Sequence, residues 1–159
     1  MSEDVMFAIE DETEETSRQE DTVDSKKYLI FMTDDLKFGV DAVCVLEIIT
    51  NHVITYLPMV PDFIRGIINL RGQMIPIVDI RLRLGKMQKE DCLVIVLNID
   101  STQVGILVDS VDQMIDIPKA DILPMPAQDG QLLVSGMCTL PDGSGTMMVL
   151  DHEQLLPHE

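Results

Sequence analysis

The chain reads as an all-β protein with a few short helices, built from barrels rather than from a layered parallel sheet. Three observations predict this. Beyond residue 27, apolar runs of about four to eight residues recur between turn signals, which is the texture of short strands. No apolar pattern of period 3.6 is long enough for a major helix, so nothing is available to cross over between parallel strands. Many short, closely spaced strands solve the problem of their open edges by curling into barrels.

The elements follow in order. Tyr28-Leu-Ile-Phe-Met-Thr33 reads as a strand, Asp34-Asp35 as its turn and Lys37-Phe-Gly-Val-Asp41 as the return strand. Residues 53–57, 74–80, 92–99, 103–108, 111–117, 132–138 and 146–150 continue the series. Asp100-Ser-Thr102 and Pro141-Asp-Gly-Ser-Gly145 have the length and composition of hairpin loops. Pro76 removes a ladder donor from its strand and so implies an edge or a bulge. Three stretches look locally helical: 42–49, with Val43, Leu46 and Ile49 three residues apart; 62–67, led by Pro61; and 151–156, with Asp151 as N-cap.

Composition bounds the function. The 159 residues suit one domain with a tail, or two small intertwined subdomains. Hydrophobic residues make up 46% and Trp is missing, so the core is built from Val, Ile and Leu, with the eleven methionines as filler. A net charge of −17 argues against nucleic-acid binding and against an anionic membrane surface. Cys44, Cys92 and Cys138 form no CxxC pair, and an odd count without a signal peptide implies reduced thiols in a cytosolic, soluble protein. Residues 1–27 carry ten acids against three bases, −7 of the total. They read as a disordered acidic tail that cannot bury enough surface to offset ordering, apart from the apolar run Val5-Met-Phe-Ala-Ile9, which has the make-up of a short docking motif.

Catalytic patterns do not emerge. Histidines are limited to His52, His152 and His158, and no GxSxG, HExxH, P-loop or GxGxxG is present. Cys44 could meet His52 only through folding, and its apolar surroundings favour an inert thiol. Asp79, Asp109 and Asp112 close or follow strands, where solvated turn roles are common. A small β-barrel ligand-binding domain or hydrolase using Asp79, Asp109 and His52 is the competing reading.

One stretch is far more specific. Lys37-Phe-Gly-Val-Asp41 runs into Val45-Leu-Glu-Ile-Ile49. After Leu57-Pro58 come Pro61-Asp-Phe-Ile-Arg-Gly-Ile-Ile-Asn-Leu-Arg-Gly72 and Ile75-Pro-Ile-Val-Asp-Ile-Arg81. With Pro58, Pro61, Gly66, Asn69, Arg71, Gly72, Pro76, Asp79 and Arg81 in place, this resembles the signature of the CheW family of chemotaxis coupling proteins. The likeness extends over 28–156 and is weaker in the second half, at Val94–Asn98 and Gly105–Asp109. The same domain also occurs in the kinase CheA and, joined to a receiver, in CheV; the length fits the stand-alone adaptor.

The resemblance implies two intertwined five-stranded SH3-like barrels with a hydrophobic core between them. It also implies a non-enzymatic role coupling the cytoplasmic tips of chemoreceptors to the regulatory domain of the histidine kinase CheA, with recruitment to membrane receptor arrays and no cofactor or metal. For Val45 and Val96 it suggests a place along the groove between the barrels, against ordinary core. The kinase-contacting residues stay unassigned.

Within the motif, Gly66 and Gly72 suit close approach or positive φ, Pro58 and Pro61 an extended entry to the turn, and Asn69 a hydrogen bond to local backbone. Arg71 is a cation in an apolar stretch of an acidic protein and calls for a carboxylate; Glu47, between Leu46 and Ile48, is the natural candidate. A partly buried Glu47–Arg71 pair would tie the expected helical turn to the Asn-Leu-Arg-Gly loop, or else the two residues contact a receptor. Arg81 and Arg83 are read as basic points that steer a partner or are merely solvated.

Overall fold

The computed structural model describes residues 24–50, 52–87, 89, 92–125 and 133–155. Strand β1 (Ser25–Thr33) turns at Asp34 and Asp35 into β2 (Leu36–Asp41). Both turn residues have positive φ, as a type I′ hairpin requires, and short acidic side chains tolerate that conformation. A single 3₁₀ turn, Ala42–Cys44, is capped by the Asp41 side chain, which accepts from the Val43 N–H at 3.1 Å. It leads into β3 (Val45–Ile49). Then come β4 (Ile64–Leu70), β5 (Gln73–Asp79), the one-turn helix α1 (Ile80–Arg83), β6 (Leu93–Ile99) and β7 (Thr102–Val108). The chain ends with β8 (Ser110–Pro118), a 3₁₀ turn at Lys119–Asp121, β9 (Leu123–Pro124), β10 (Val134–Thr139), β11 (Thr146–Leu150) and a 3₁₀ turn at His152–Gln154.

Several expectations need correcting. The helical reading of 42–49 survives only as the Ala42–Cys44 turn. Val45, Ile48 and Ile49 are β-branched, and the segment pairs with β6 around a bulge at Leu46. Of residues 62–67 only Asp62 and Phe63 form a turn, closed by the Ile64 N–H on the Pro61 carbonyl, and β4 begins at Ile64. Of 53–57, only Thr55 pairs, in one bridge to Ile67. Pro76 lies in the interior strand β5 rather than at an edge. It stands opposite Ile67, whose N–H and C=O are turned to Thr55, and the ladder to β7 starts one residue later at Ile77. Asp151 is the expected N-cap, accepting from the Glu153 N–H. The boundary at residue 27 falls inside β1, because Ser25, Lys26 and Lys27 pair with Pro118, Ile117 and Asp116. Residues 1–23, with the acidic run and Val5–Ile9, lie outside the described residues.

The strands form two sheets. The first has six strands in the order β8-β1-β2-β11-β10-β9, and the second has five, β3-β6-β7-β5-β4. The first two strands join the last four, while the middle five form the second unit, so the chain interlaces the two. Pairing is antiparallel except for one parallel pair in each sheet, β2 with β11 and β5 with β7. These are the two intertwined SH3-like barrels, the first carrying β9 as a two-residue sixth strand.

Three apolar clusters account for the continuous apolar runs. Alternate residues of β1 and β6 point to different cores: Tyr28 and Ile30 line the first barrel, and Val94 and Val96 line the second. Leu29, Phe31, Ile95 and Leu97 enter a third cluster between the barrels, with Phe38, Ile106 and Leu150. Strands buried on both faces need no polar alternation. Phe31 and Phe38, paired across the first hairpin, stack at 5.4 Å and 11°. Methionine serves as filler at Met147, but Met59, Met74, Met87 and Met114 are exposed.

Candidate partner-docking site

Of the residues singled out in the motif, Glu47, Asn69, Arg71 and Gly72 come together at the β4–β5 turn of the second barrel. The β4–β5 turn is made by Arg71 and Gly72, both at positive φ, again a two-residue hairpin of the primed type. The Asn69 side-chain oxygen accepts from the Gly72 N–H at 3.2 Å and braces the turn from within. Gly72 has open space around it, so its role is conformational. Gly66 differs: a Cβ there would lie 2.1 Å from the Thr55 carbonyl oxygen, so this glycine serves close approach beside the bulge in β4.

Arg71 Nη1 donates to Glu47 Oε2 at 2.6 Å. The expected pairing forms, but it differs from expectation in two ways. Glu47 sits on strand β3, not on a helical turn, and the pair is exposed, with 75% of the Arg71 side chain and 29% of Glu47 accessible. Strands β3 and β4 are opposite edges of one sheet, so a contact from β3 to the β4–β5 turn exists only because the sheet curls round. Ion pairs this exposed contribute only about 0.2–1 kcal/mol. On the other face of β3 Leu46 and Ile48 are exposed, as is Val43 in the 3₁₀ turn before it.

Val45 and Val96 do not share a setting. Val45 is half-buried against the inter-barrel core, while Val96 is buried within the second barrel and offers no surface to a partner. Asp79 is likewise buried, contrary to a solvated turn role. Its Oδ2 accepts from Arg65 Nη1 at 2.7 Å, and its Oδ1 accepts from the N–H of Arg81 and of Leu82, capping α1.

Arg81 and Arg83 are structural rather than free basic points. Arg81 reaches Asp109 at 2.9 Å and Asp34 at 3.3 Å, and its Nε donates to the Met87 carbonyl. Since Asp34 lies in the first hairpin and Arg81 in the second unit, this guanidinium ties the two barrels together. The hydrogen-bonded Lys86 ammonium, then Arg81, holds the Asp34 carboxyl below its usual range. Arg83 lies over the Phe63 ring at 4.6 Å and donates to the Gln154 carbonyl.

The groups of the competing reading are spoken for separately. Asp79 is held by Arg65 and α1, Asp109 by Arg81, and His52 Nε2 bonds the Cys92 carbonyl at 3.0 Å rather than meeting Cys44. Among the described residues the three cysteines form no disulfide, and burial pushes each thiol pKa up. No described helix is long and apolar enough to cross a membrane. An exposed apolar strand surface of this kind is suited to holding a protein partner.

Residues 27–159 match the family model described as the CheW-like domain. The chain is 34% identical to the chemotaxis protein CheW of Klebsiella aerogenes over 140 residues, covering 84% of this chain and 83% of the relative. It is 36% identical to the chemotaxis protein CheW of Rhizobium meliloti over 104 residues, 64% of this chain and 67% of that one. In three dimensions it resembles the scaffolding protein TtCheW of Thermoanaerobacter tengcongensis, with a TM-score of 0.71, 30% identity, and coverage of 79% of this chain and 88% of the other. A matching domain model over most of the chain, supported by close relatives and by the same two-barrel architecture, places this chain in the CheW family.

Proposed function

We propose that this chain is a non-enzymatic chemotaxis adaptor that couples the cytoplasmic tips of methyl-accepting chemoreceptors to the regulatory domain of the histidine kinase CheA, working in the cytoplasm at membrane receptor arrays. The observation that carries this reading is the solvent-displayed Arg71, paired with Glu47 of the strand that also exposes Leu46 and Ile48, inside the densest stretch of the family signature. A guanidinium with most of its surface in solvent adds little to the fold and is available to a partner. Val45, half-buried beside the pair, forms the floor of the contact, while the receptor's helical hairpin covers Leu46 and Ile48. Family membership supports the scaffold role as a whole.

The test is reconstitution. Purified chain, the kinase, and a receptor cytoplasmic fragment should form a ternary complex in which the kinase is stimulated only when all three are present. Arg71→Ala should weaken receptor coupling without lowering the melting temperature. Substrate turnover by the purified chain alone, lost on substitution of Asp79 or Asp109, would overturn the adaptor reading in favour of an enzyme.

A further inference from the structure

We propose that the N-terminal lead docks back on the β3 edge through Val5-Met-Phe-Ala-Ile9 and competes, as a tethered ligand, with the receptor for that surface; this rests on the adaptor reading above. Three observations converge on it. The first is the uncovered surface: Val43, in the 3₁₀ turn, and Leu46 and Ile48, on the strand that follows it, are 88%, 48% and 40% accessible. Among the described residues strand β3 pairs only with β6, as the terminal strand of its sheet. It is five residues long, as is the apolar run of the lead. Edge strands of this kind accept an added extended segment.

The second is where the lead enters the fold. The Asp24 carbonyl accepts from the Lys119 N–H, β1 begins at Ser25, and Lys26 forms an ion pair with Asp41 at 3.1 Å. Asp41 caps the 3₁₀ turn that contains Val43 and feeds directly into β3. The lead therefore meets the folded body beside the very edge it would cover. The fifteen residue steps from Ile9 to Asp24 can span roughly 50 Å, ample to reach that edge, and tethering holds a short motif at an effective concentration of about a millimolar.

The third is charge. Glu3 and Asp4 precede the apolar run, and Glu10, Asp11 and Glu12 follow it. A chain with 28 acids against 11 Lys and Arg repels such a segment over most of its surface. Arg71 reaches β3 through Glu47, and Lys27 and Lys119, both exposed, stand at the entry of the lead beside Lys26. An acidic flank set on Arg71 shares it with Glu47.

The full chain carrying Val5→Asp with Phe7→Asp is compared with the unaltered chain. In ¹⁵N amide spectra, the substitutions are expected to shift the resonances of Val43–Ile49, equally at high and low protein concentration. Binding of a chemoreceptor hairpin-tip fragment should tighten about three- to ten-fold, the factor by which a docked lead reduces the competent population. Unchanged resonances at Val43–Ile49, or changes confined to another face, overturn the proposal. Changes that vanish on dilution overturn it too, because they mean docking between copies. If the β3 resonances move but neither protein binds the receptor fragment, the docked lead stands and the adaptor reading fails instead.

Discussion

Glu47 and Arg71 show how a single contact changes meaning with its burial. A cation within an apolar stretch pointed to a partly buried pair with Glu47, and in a truly buried pair the loss of one partner would cost about 3–5 kcal/mol. The partner is the expected one, yet the guanidinium stands in solvent, so the energetic weight moves to the exposed range. A double-mutant cycle with Glu47→Ala and Arg71→Ala should give a coupling of about 0.2–1 kcal/mol by urea denaturation, shrinking as salt is added. A salt-insensitive coupling above about 2 kcal/mol would show the pair to be sequestered after all. The reverse happened at Asp79, where a residue expected in solvent is buried against Arg65 and the start of α1. Asp79 closes its strand as read, and its two carboxylate oxygens are taken by Arg65 and by the N–H groups of Arg81 and Leu82.

At the scale of elements, turns were legible and helices were not. Asp34-Asp35 and Asp100-Ser101 were readable as hairpins because short polar residues adopt positive φ, and both positions do so. The 42–49 stretch shows the opposite. Three-residue spacing of Val43, Leu46 and Ile49 is compatible with a helix, but pairing to β6 offers backbone hydrogen bonds that a short β-branched segment cannot match alone. Glycines divide by environment. Gly66→Ala should destabilise by about 3 kcal/mol or more, since its Cβ would collide with the Thr55 backbone and break the bridge to Ile67. Gly72→Ala meets open space and should cost about 1–2 kcal/mol, from its positive φ alone. Equal shifts of the two urea midpoints would refute the distinction.

For the molecule as a whole, the central fact is that each barrel shares a wall with a common core. Leu29, Phe31, Ile95 and Leu97 face that core, and Arg81 locks the outer side by reaching Asp34 and Asp109. The barrels should therefore unfold as one unit. The described walls are built from residues after Asp24, so removing residues 1–23 should leave the melting temperature within about 3 °C, with the cut placed before Ser25 because β1 begins there. Removing residues 1–27 instead takes three paired residues out of β1 and should lower the midpoint further. A fall above about 8 °C for the shorter deletion, followed by circular dichroism, would make the lead part of the fold.

What the sequence determined by itself was local or combinatorial: the turn residues, the strand-sized apolar runs, the capping aspartate at 151, and a dense motif from Phe38 to Arg81 that identified the family. These depend on backbone preferences and residue order, which need no knowledge of distant contacts. The tertiary structure alone decided which apolar residues point inward. Val45 and Val96 look alike in sequence, but one packs half-buried against the inter-barrel core from the alternating strand β3, and the other is sealed in a barrel on β6, a strand buried on both faces that carries no alternation to read. It decided also that Arg81 and Arg83 are held while Arg71 is displayed. Solvent exposure depends on what the rest of the chain places overhead, and for these arginines that cover comes from residues 28 to 71 positions away.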